Sequence, residues 1–269
     1  MQNKIKNIYT LEEQKWNQWL AGLIDGDGYL TIKKNNVAVC EITMSIGDEP
    51  LLEKIKQVLG GNIRPRNGYR AVRYRLSHQQ GMRELINRIN GHIRNNVRVT
   101  QFKKVCTHFD IEWIHTLSLT NTNAYTAGFF DADGSIYISV LKSSSENSTL
   151  VGINGKIKRL AESGAYHQLG IEISNKYKEN LIIFQKAFGF GSIREINNGK
   201  KEYYIYKIPL ANIKDFQEYI RKFPLHSVKK KRFLILKEYF YLKNIKAHLA
   251  KKNTVKNKRW VKFCQKWYL

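Results

Sequence analysis

Four carboxylates fall in two matched pairs in this chain of 269 residues: Asp25 and Asp27 in LAGLIDGDG (Leu20 to Gly28), and Asp131 and Asp133 in TAGFFDADG (Thr126 to Gly134). Each pair closes a run of apolar and small residues that reads as a buried helix. A helix C-terminus already carries negative partial charge, so acids there are unfavourable unless a cation joins them. Carboxylate, carbonyl and water oxygens suit magnesium, which is commonly held by one or two carboxylates together with substrate phosphates. Metal ions flanking a phosphodiester can activate water, stabilise developing charge and assist the leaving oxygen. An EF-hand calcium loop needs a glutamate at its twelfth position; counting from Asp25 and from Asp131, that position holds Asn36 and Lys142.

The elements that must position these acids repeat. Asp133 follows Asp27 by 106 positions (133 − 27), and the similarity continues downstream. Each copy passes to an alternating strand, Glu41–Ser45 and Gln168–Ser174, and then to an amphipathic helix ending in glycine, LLEKIKQVLGGNIR and LIIFQKAFGFGSIR. Strand-like stretches with turn residues follow, and another helix closes each half. The order predicts an α+β fold of two pseudo-symmetric αββαββα halves. The boundaries expected are 1–112 and 124–245 for the halves, 113–123 for a linker, and 246–269 for a basic C-terminal tail, a solvated helix or a loose end.

Thr10 and Glu13 are spaced as a capping box, so the first helix starts there and runs through Trp16, Trp19, Leu20 and Leu23 to about Gly28. Ala21 with Gly22, and Ala127 with Gly128, are small enough for two helix backbones to approach closely. Side-by-side packing would bring Asp27 and Asp133 together at one end, a negative cluster that a divalent cation would neutralise. The halves differ in length: 18 residues separate Asp27 from Ser45, but 41 separate Asp133 from Ser174. The extra 23 residues include SSSENST and read as a flexible surface loop, or else as a hairpin arm reaching a partner.

With 46 Lys plus Arg against 22 Asp plus Glu, the formal charge is +24, which favours a polyanionic partner. No long uncharged apolar run and no secretory pattern in MQNKIKNIYT is present, so an intracellular protein without a membrane partner is expected. Cys40, Cys106 and Cys264 form no C-x-x-C pair, which leaves neither a zinc ribbon nor a disulfide framework. Cys106 and His108 would make half a metal site whose second half is missing.

The two nine-residue motifs resemble the signature of the LAGLIDADG homing endonucleases, specifically the single-chain members with two motifs. The first copy departs at one position of nine; the second has Thr126, Phe129 and Phe130 at positions usually occupied by smaller or apolar residues. The resemblance implies antiparallel sheets forming a DNA-binding saddle, and magnesium as cofactor, with manganese or calcium able to take the same sites. It implies metal-ligating catalytic roles for Asp27 and Asp133, assisted by the carbonyls of Gly26 and Ala132, while Asp25 and Asp131 support the helix ends. A polar residue at the end of the second strand falls on Asn175, with Ile46 as its apolar counterpart, so the two centres should be unequal. The basic residue before each last helix falls on Arg98 and Lys229.

DNA reading is expected from alternate side chains of the strands, since a two-stranded ribbon fits the major groove. In the first half these are Tyr29, Thr31, Lys33, Asn35, Glu41, Thr43, Ser45, Arg64, Arg66, Arg73 and Arg75. In the second they are Ser135, Tyr137, Ser139, Gln168, Glu172, Ser174, Arg194 and Lys207. The expected protein is a monomeric, site-specific endonuclease that cuts both strands of double-stranded DNA across a minor groove at a long asymmetric target, leaving 3′ overhangs. A splicing maturase on the same fold, with intron RNA as partner, is the alternative. Lys-, Ile- and Asn-rich wording points to an AT-rich genome, and the family to an organelle-encoded protein of mitochondrion or chloroplast.

Overall fold

The computed structural model describes residues 9–197, 199 and 202–269. The first half runs α1 (Leu11–Asp27), β1 (Gly28–Ile32), β2 (Ala38–Ser45), α2 (Glu49–Leu59), β3 (Asn62–Pro65), β4 (Ala71–Leu76), α3 (Gln79–Ile89) and α4 (Asn96–His108). After a stretch without helix or strand come α5 (Tyr125–Asp133), β5 (Gly134–Val140), α6 (Ser145–Ser148), α7 (Gly152–Ala161) and β6 (His167–Asn175). Then follow α8 (Glu179–Phe188), β7 (Ser192–Asn197), β8 (Glu202–Lys207), α9 (Ile213–Lys222), α10 (Lys230–Leu234), α11 (Leu236–Asn244) and α12 (Val255–Tyr268). Two four-stranded sheets result, ordered β1-β2-β4-β3 and β5-β6-β8-β7. The α+β reading and its αββαββα plan hold, with extra helices at the end of each half and inside the second.

Register sorts the first sheet into two faces. Glu41 lies opposite Tyr29 and Arg75, and Thr43 opposite Arg73, which in turn faces Arg64. Their neighbours Leu30, Cys40, Ile42, Val72, Tyr74 and Leu76 point the other way and are buried. Leu51, Leu52 and Ile55 of α2 and Met82, Leu85 and Ile86 of α3 complete that core. Burial of one face fixes the register, because a one-residue slip would turn every apolar side chain outward.

The chain divides into two compact units. One contains the described residues up to Gly134 together with Glu172–Val228; the other contains Ser135–Ile171 and Lys229–Leu269. In the second unit the inserted residues are neither a flexible loop nor a hairpin arm. They form α6 and α7, and α7 packs on α12 with Gly155 and Leu160 buried. Nor is the basic tail loose or wholly solvated. Trp260, Phe263, Cys264 and Trp267 recur at helical spacing and bury one edge of α12, a stripe hidden in the sequence by the lysines around it.

In the first unit, α1 and α5 pack against each other along their length. α1 starts with the predicted capping box: the Glu13 amide donates to Thr10 Oγ1 at 3.3 Å, and the Thr10 amide to Glu13 Oε2 at 2.9 Å. α5 has no side chain of its own at the cap. Its first amides donate instead to Gln18 Oε1 (Ala124, 3.0 Å), Asn123 Oδ1 (Tyr125, 2.8 Å) and the Tyr219 hydroxyl (Ala127, 3.1 Å). Contact between the two helices is backbone on backbone. A Cβ on Gly22 would sit 2.0 Å from the Tyr125 carbonyl oxygen, and one on Gly128 would sit 1.8 Å from that of Trp19.

Neither neighbour is a movable side chain, so Gly22→Ala and Gly128→Ala should each destabilise the protein by about 3 kcal/mol or more. Urea denaturation monitored by circular dichroism reads this as a lower midpoint; an unchanged midpoint would mean that the helices do not touch there.

Candidate active site

The same approach continues to the C-terminal ends of α1 and α5. A Cβ on Gly26 would lie 2.3 Å from the Ala132 Cβ and 3.7 Å from Asp133 Oδ2. Gly26 is where the first motif departs from the usual alanine, and the departure has a steric reason: two facing methyl groups would not fit. Asp27 and Asp133 therefore leave the ends of two touching helices, both half-buried and both in the first unit.

Asp25 and Asp131 are fully buried and serve as brackets. Asp25 Oδ2 accepts from the amides of Arg94 (2.6 Å) and Asn95 (3.0 Å) and from the Tyr125 hydroxyl (2.6 Å). Asp131 accepts from the amides of His226 (2.8 Å) and Ser227 (3.0 Å) and from Trp19 Nε1 (2.9 Å). Each acid thus takes two consecutive amides from its own half and one ring donor from the other half's helix. The rings are themselves covered alike: Arg94 lies 4.6 Å over Tyr125, and His226 meets Trp19 edge-on at 4.6 Å. Burial pushes the Asp25 carboxyl up to about 6, against the pull of its Tyr125 hydrogen bond and the two amides.

Around Asp27 and Asp133 the halves differ. Asn175, the last residue of β6, donates from Nδ2 to Asp133 Oδ2 at 3.3 Å, while its Oδ1 accepts from the Tyr177 amide and Asn180 Nδ2. Ile46 follows the end of β2 and is 48% exposed, an apolar side chain with nothing to donate. Arg98 projects from α4 onto the end of α1, donating to the carbonyls of Ile24 (3.2 Å) and Gly26 (3.4 Å). Burial lowers its affinity for a proton, and the carboxylates of Asp25, Asp133 and Asp27 pull the other way. Lys229 lies in the second unit as the residue capping α10. Counting three residues from Asn95 reaches Arg98, and the same count from Ser227 reaches Lys230.

Among the described residues no group of three or more His, Cys, Asp or Glu side chains gathers around a common point. Cys40, Cys106 and Cys264 are buried free thiols.

Most of the expected strand residues share an open face. Tyr29, Thr31, Glu41, Thr43, Ser45, Arg64, Arg73 and Arg75 do so in the first sheet, and a groove there is lined by Glu41, Arg64, Arg66, Arg73 and Arg75. Glu41 bridges Arg73 (3.4 Å) and Arg75 (3.7 Å). β1 ends at Ile32, so Lys33 and Asn35 lie beyond it in the turn to β2, exposed rather than on the strand; Arg66 likewise follows β3. On the other side, Glu172 pairs with Lys207, and Ser174 aligns with Ile205 and Arg194. In the second unit Ser135, Tyr137 and Ser139 are half-buried and Gln168 is exposed. Ser139 donates to the Gln168 carbonyl at 3.2 Å, and the Tyr137 ring occupies the space a side chain on Gly170 would need.

Sequence reasoning missed Trp19 and Tyr125, although their spacing of 106 is that of the aspartates. It also missed Asn62, Ser192, Tyr203 and Ile205, which join the open faces through strand register that the sequence does not display.

The family model described as LAGLIDADG endonuclease matches residues 20–109 and again 126–240. Intron-encoded RNA maturase bI4 of Saccharomyces cerevisiae is 40% identical over 97% of this chain and 38% of its own length. Probable intron-encoded endonuclease aI2 of Debaryomyces hansenii is 36% identical over 98% and 39%. Intron-encoded DNA endonuclease ai2a of Dictyostelium discoideum is 30% identical over 100% and 80%. The chain thus spans about four-tenths of the length of the first two relatives. Among solved structures, the LAGLIDADG homing endonuclease I-GzeII, in complex with a DNA target, shares the fold with TM-score 0.62 at 18% identity, covering 93% of this chain and 96% of that one. The LAGLIDADG meganuclease I-AabMI, bound to uncleaved DNA, does so with TM-score 0.61 at 17% identity, covering 91% and 98%.

The brackets make a measurable claim. Tyr125→Phe leaves the buried Asp25 carboxylate short of a donor and should cost about 1–3 kcal/mol of stability. With Asp25 titrating near 6, loss of a bond to its charged form weighs most above that pH. The deficit, read by urea titration, should therefore be larger at pH 7.5 than at pH 5; equal deficits would show that Tyr125 does not act on the carboxylate.

Proposed function

We propose, for a chain that belongs to the LAGLIDADG endonuclease family, that it is a site-specific DNA endonuclease hydrolysing one phosphodiester of each strand of a double-stranded target. The observation that carries this reading is the placement of Asp27 and Asp133 at the touching ends of α1 and α5, with Arg98 and Asn175 beside them. Two carboxylates with neighbouring carbonyls form a hard-oxygen set that fits magnesium, and manganese or calcium in its place. A bound ion there would supply Lewis-acid activation of water and charge neutralisation at the phosphate.

The chain's own residues do the rest. Asp27 and Asp133 hold the negative charge that anchors the site, and the Gly26 and Ala132 carbonyls add oxygen to it. Arg98 sets a cation beside the carboxylates, where it offsets charge developing on the scissile phosphate. Asn175 orients the Asp133 carboxylate; the corresponding position of the first half holds the apolar Ile46, so the two strands meet unequal centres. Lys229, with Lys230 next to it, is the basic residue proposed for the second half. The strand residues named above contact the target, Arg64, Arg73 and Arg75 by fork contacts to guanine and many others through phosphate. Two halves of different sequence call for a long asymmetric site, cleavage across the minor groove leaves 3′ overhangs, and a single chain suffices.

A second reading, splicing assistance through intron RNA, is favoured by one observation: a relative 40% identical is named an RNA maturase. Both activities are compatible with one chain. Relatives named as intron-encoded support an organelle-encoded origin. No described helix is long and apolar enough to cross a membrane.

In magnesium, Asp27→Asn and Asp133→Asn should each fail to linearise a plasmid carrying the target, while the double variant neither nicks nor linearises yet still retards target DNA in a gel. Linearisation by either single variant at the parent's rate would refute the carboxylate assignment. Asn175→Ala should slow cutting of one strand by about 10–100-fold, as losing an orienting partner commonly does, and so accumulate nicked circles. Chelation of divalent ions should stop cleavage, and binding should weaken steeply with salt.

A further inference from the structure

The second unit carries a cationic surface that the cleavage reading does not use. Between Lys246 and Leu269 stand eight Lys or Arg residues and no Asp or Glu. Lys252 is paired with Glu162 at 3.1 Å and Lys266 with Glu238 at 2.9 Å. Lys258, Arg259 and Lys262 are exposed and, among the described residues, form no ion pair; spaced i, i+1 and i+4, they share the face of α12 opposite Trp260, Phe263 and Trp267. Holding three like charges on one helix face without counter-charges is unfavourable for folding alone.

Beside this stripe lies a groove between α7 and α12, lined by Asn154, Lys158, Lys252, Asn253, Asn257 and Gln265. Glu162 faces it too, but Lys252 and the Asn147 amide (2.6 Å) hold its carboxylate. Its walls come from the inserted helix, which has no counterpart in the first half, and from the tail. Carboxamides present a donor and an acceptor together, which matches the Watson–Crick edge of a base, an edge open to protein only when the base is unpaired. Lysines along the rim suit the phosphates between such bases.

We propose that the α7–α12 groove and the Lys258–Arg259–Lys262 stripe bind an unpaired polynucleotide strand, with none of the residues of the carboxylate pair or of the sheet faces taking part. The shared chemistry is a phosphodiester backbone with free base edges, and its source is either RNA or a displaced DNA strand.

The test uses the full chain and fluorescent oligouridylate or oligothymidylate of about 12 nucleotides, within the range of single-strand sites. Binding should persist in the presence of a saturating duplex that the enzyme cleaves. Lys258→Gln with Arg259→Gln and Lys262→Gln should weaken it at least tenfold and reduce the log–log salt slope by about 2, since each phosphate contact on a single strand contributes roughly 0.7. Asn257→Ala should weaken it severalfold with the salt slope unchanged. Plasmid cleavage should stay at the parent's rate in both variants. Preference for oligouridylate would identify RNA as the source, and equal affinity a displaced DNA strand; either supports the site. Displacement of the oligonucleotide by the duplex, no binding by the parent, or full affinity in the triple variant would overturn it.

Discussion

Everything at the centre of this protein depends on how closely two helix backbones can lie. Side chains normally keep helices 8–10 Å apart, and carboxylates at the ends of such a pair would be too widely spaced to share a small ion cluster. Gly22 and Gly128 remove that spacing by letting each helix rest on a carbonyl of the other. Gly26 extends the contact to the last turn. The two helix ends then meet, with Asp133 Oδ2 3.7 Å from where a Gly26 side chain would begin and Asp27 one residue further on. Stability and chemistry are joined here at the level of single missing methyl groups.

The buried brackets show a second layer of the same design. Asp25 and Asp131 sit two residues before Asp27 and Asp133 and are closed off from water, and the amide and ring donors aimed at each are what favour its carboxylate form against burial. Their amide donors come from the segments leading into α4 and α10, which sets the start of those segments relative to the helix ends. On α4 this brings Arg98 to the carbonyls of Ile24 and Gly26. One hydrogen-bonded node therefore fixes both the end of α1 and the guanidinium that lies on it.

Much of this was legible in the sequence because it is repeated: the small residues at 21–22 and 127–128 and the paired acids announce themselves by type and spacing. The capping box at Thr10 has no counterpart on α5 and was legible from its own local pattern. The alternation along β2 and β4 was readable for the same reason. What escaped lies in relations that no local pattern encodes. Strand register decides that Asn62 and Tyr203 share a face with the basic residues, and the end of β1 at Ile32 removes Lys33 and Asn35 from the strand. α12 escaped for a different reason: its apolar stripe is sparse and embedded in cations, so net charge suggested exposure while four aromatic and thiol side chains were already enough to seat it. Asn175 was singled out because the family resemblance implies a polar residue at the end of a recognisable strand, and its contrast with Ile46 is a difference in chemistry that sequence comparison of the halves displays directly.

The exchange of ring donors across the helix pair has a consequence for how such a chain can be divided. Trp19 completes the shell of Asp131, and Tyr125 that of Asp25. Severed between residues 113 and 123, the N-terminal fragment would hold a desolvated acid lacking its third donor, and so would the C-terminal one. Each fragment is therefore an incomplete folding unit whose missing piece is the other, and co-expression of the two should yield an obligate heterodimer rather than two independent proteins.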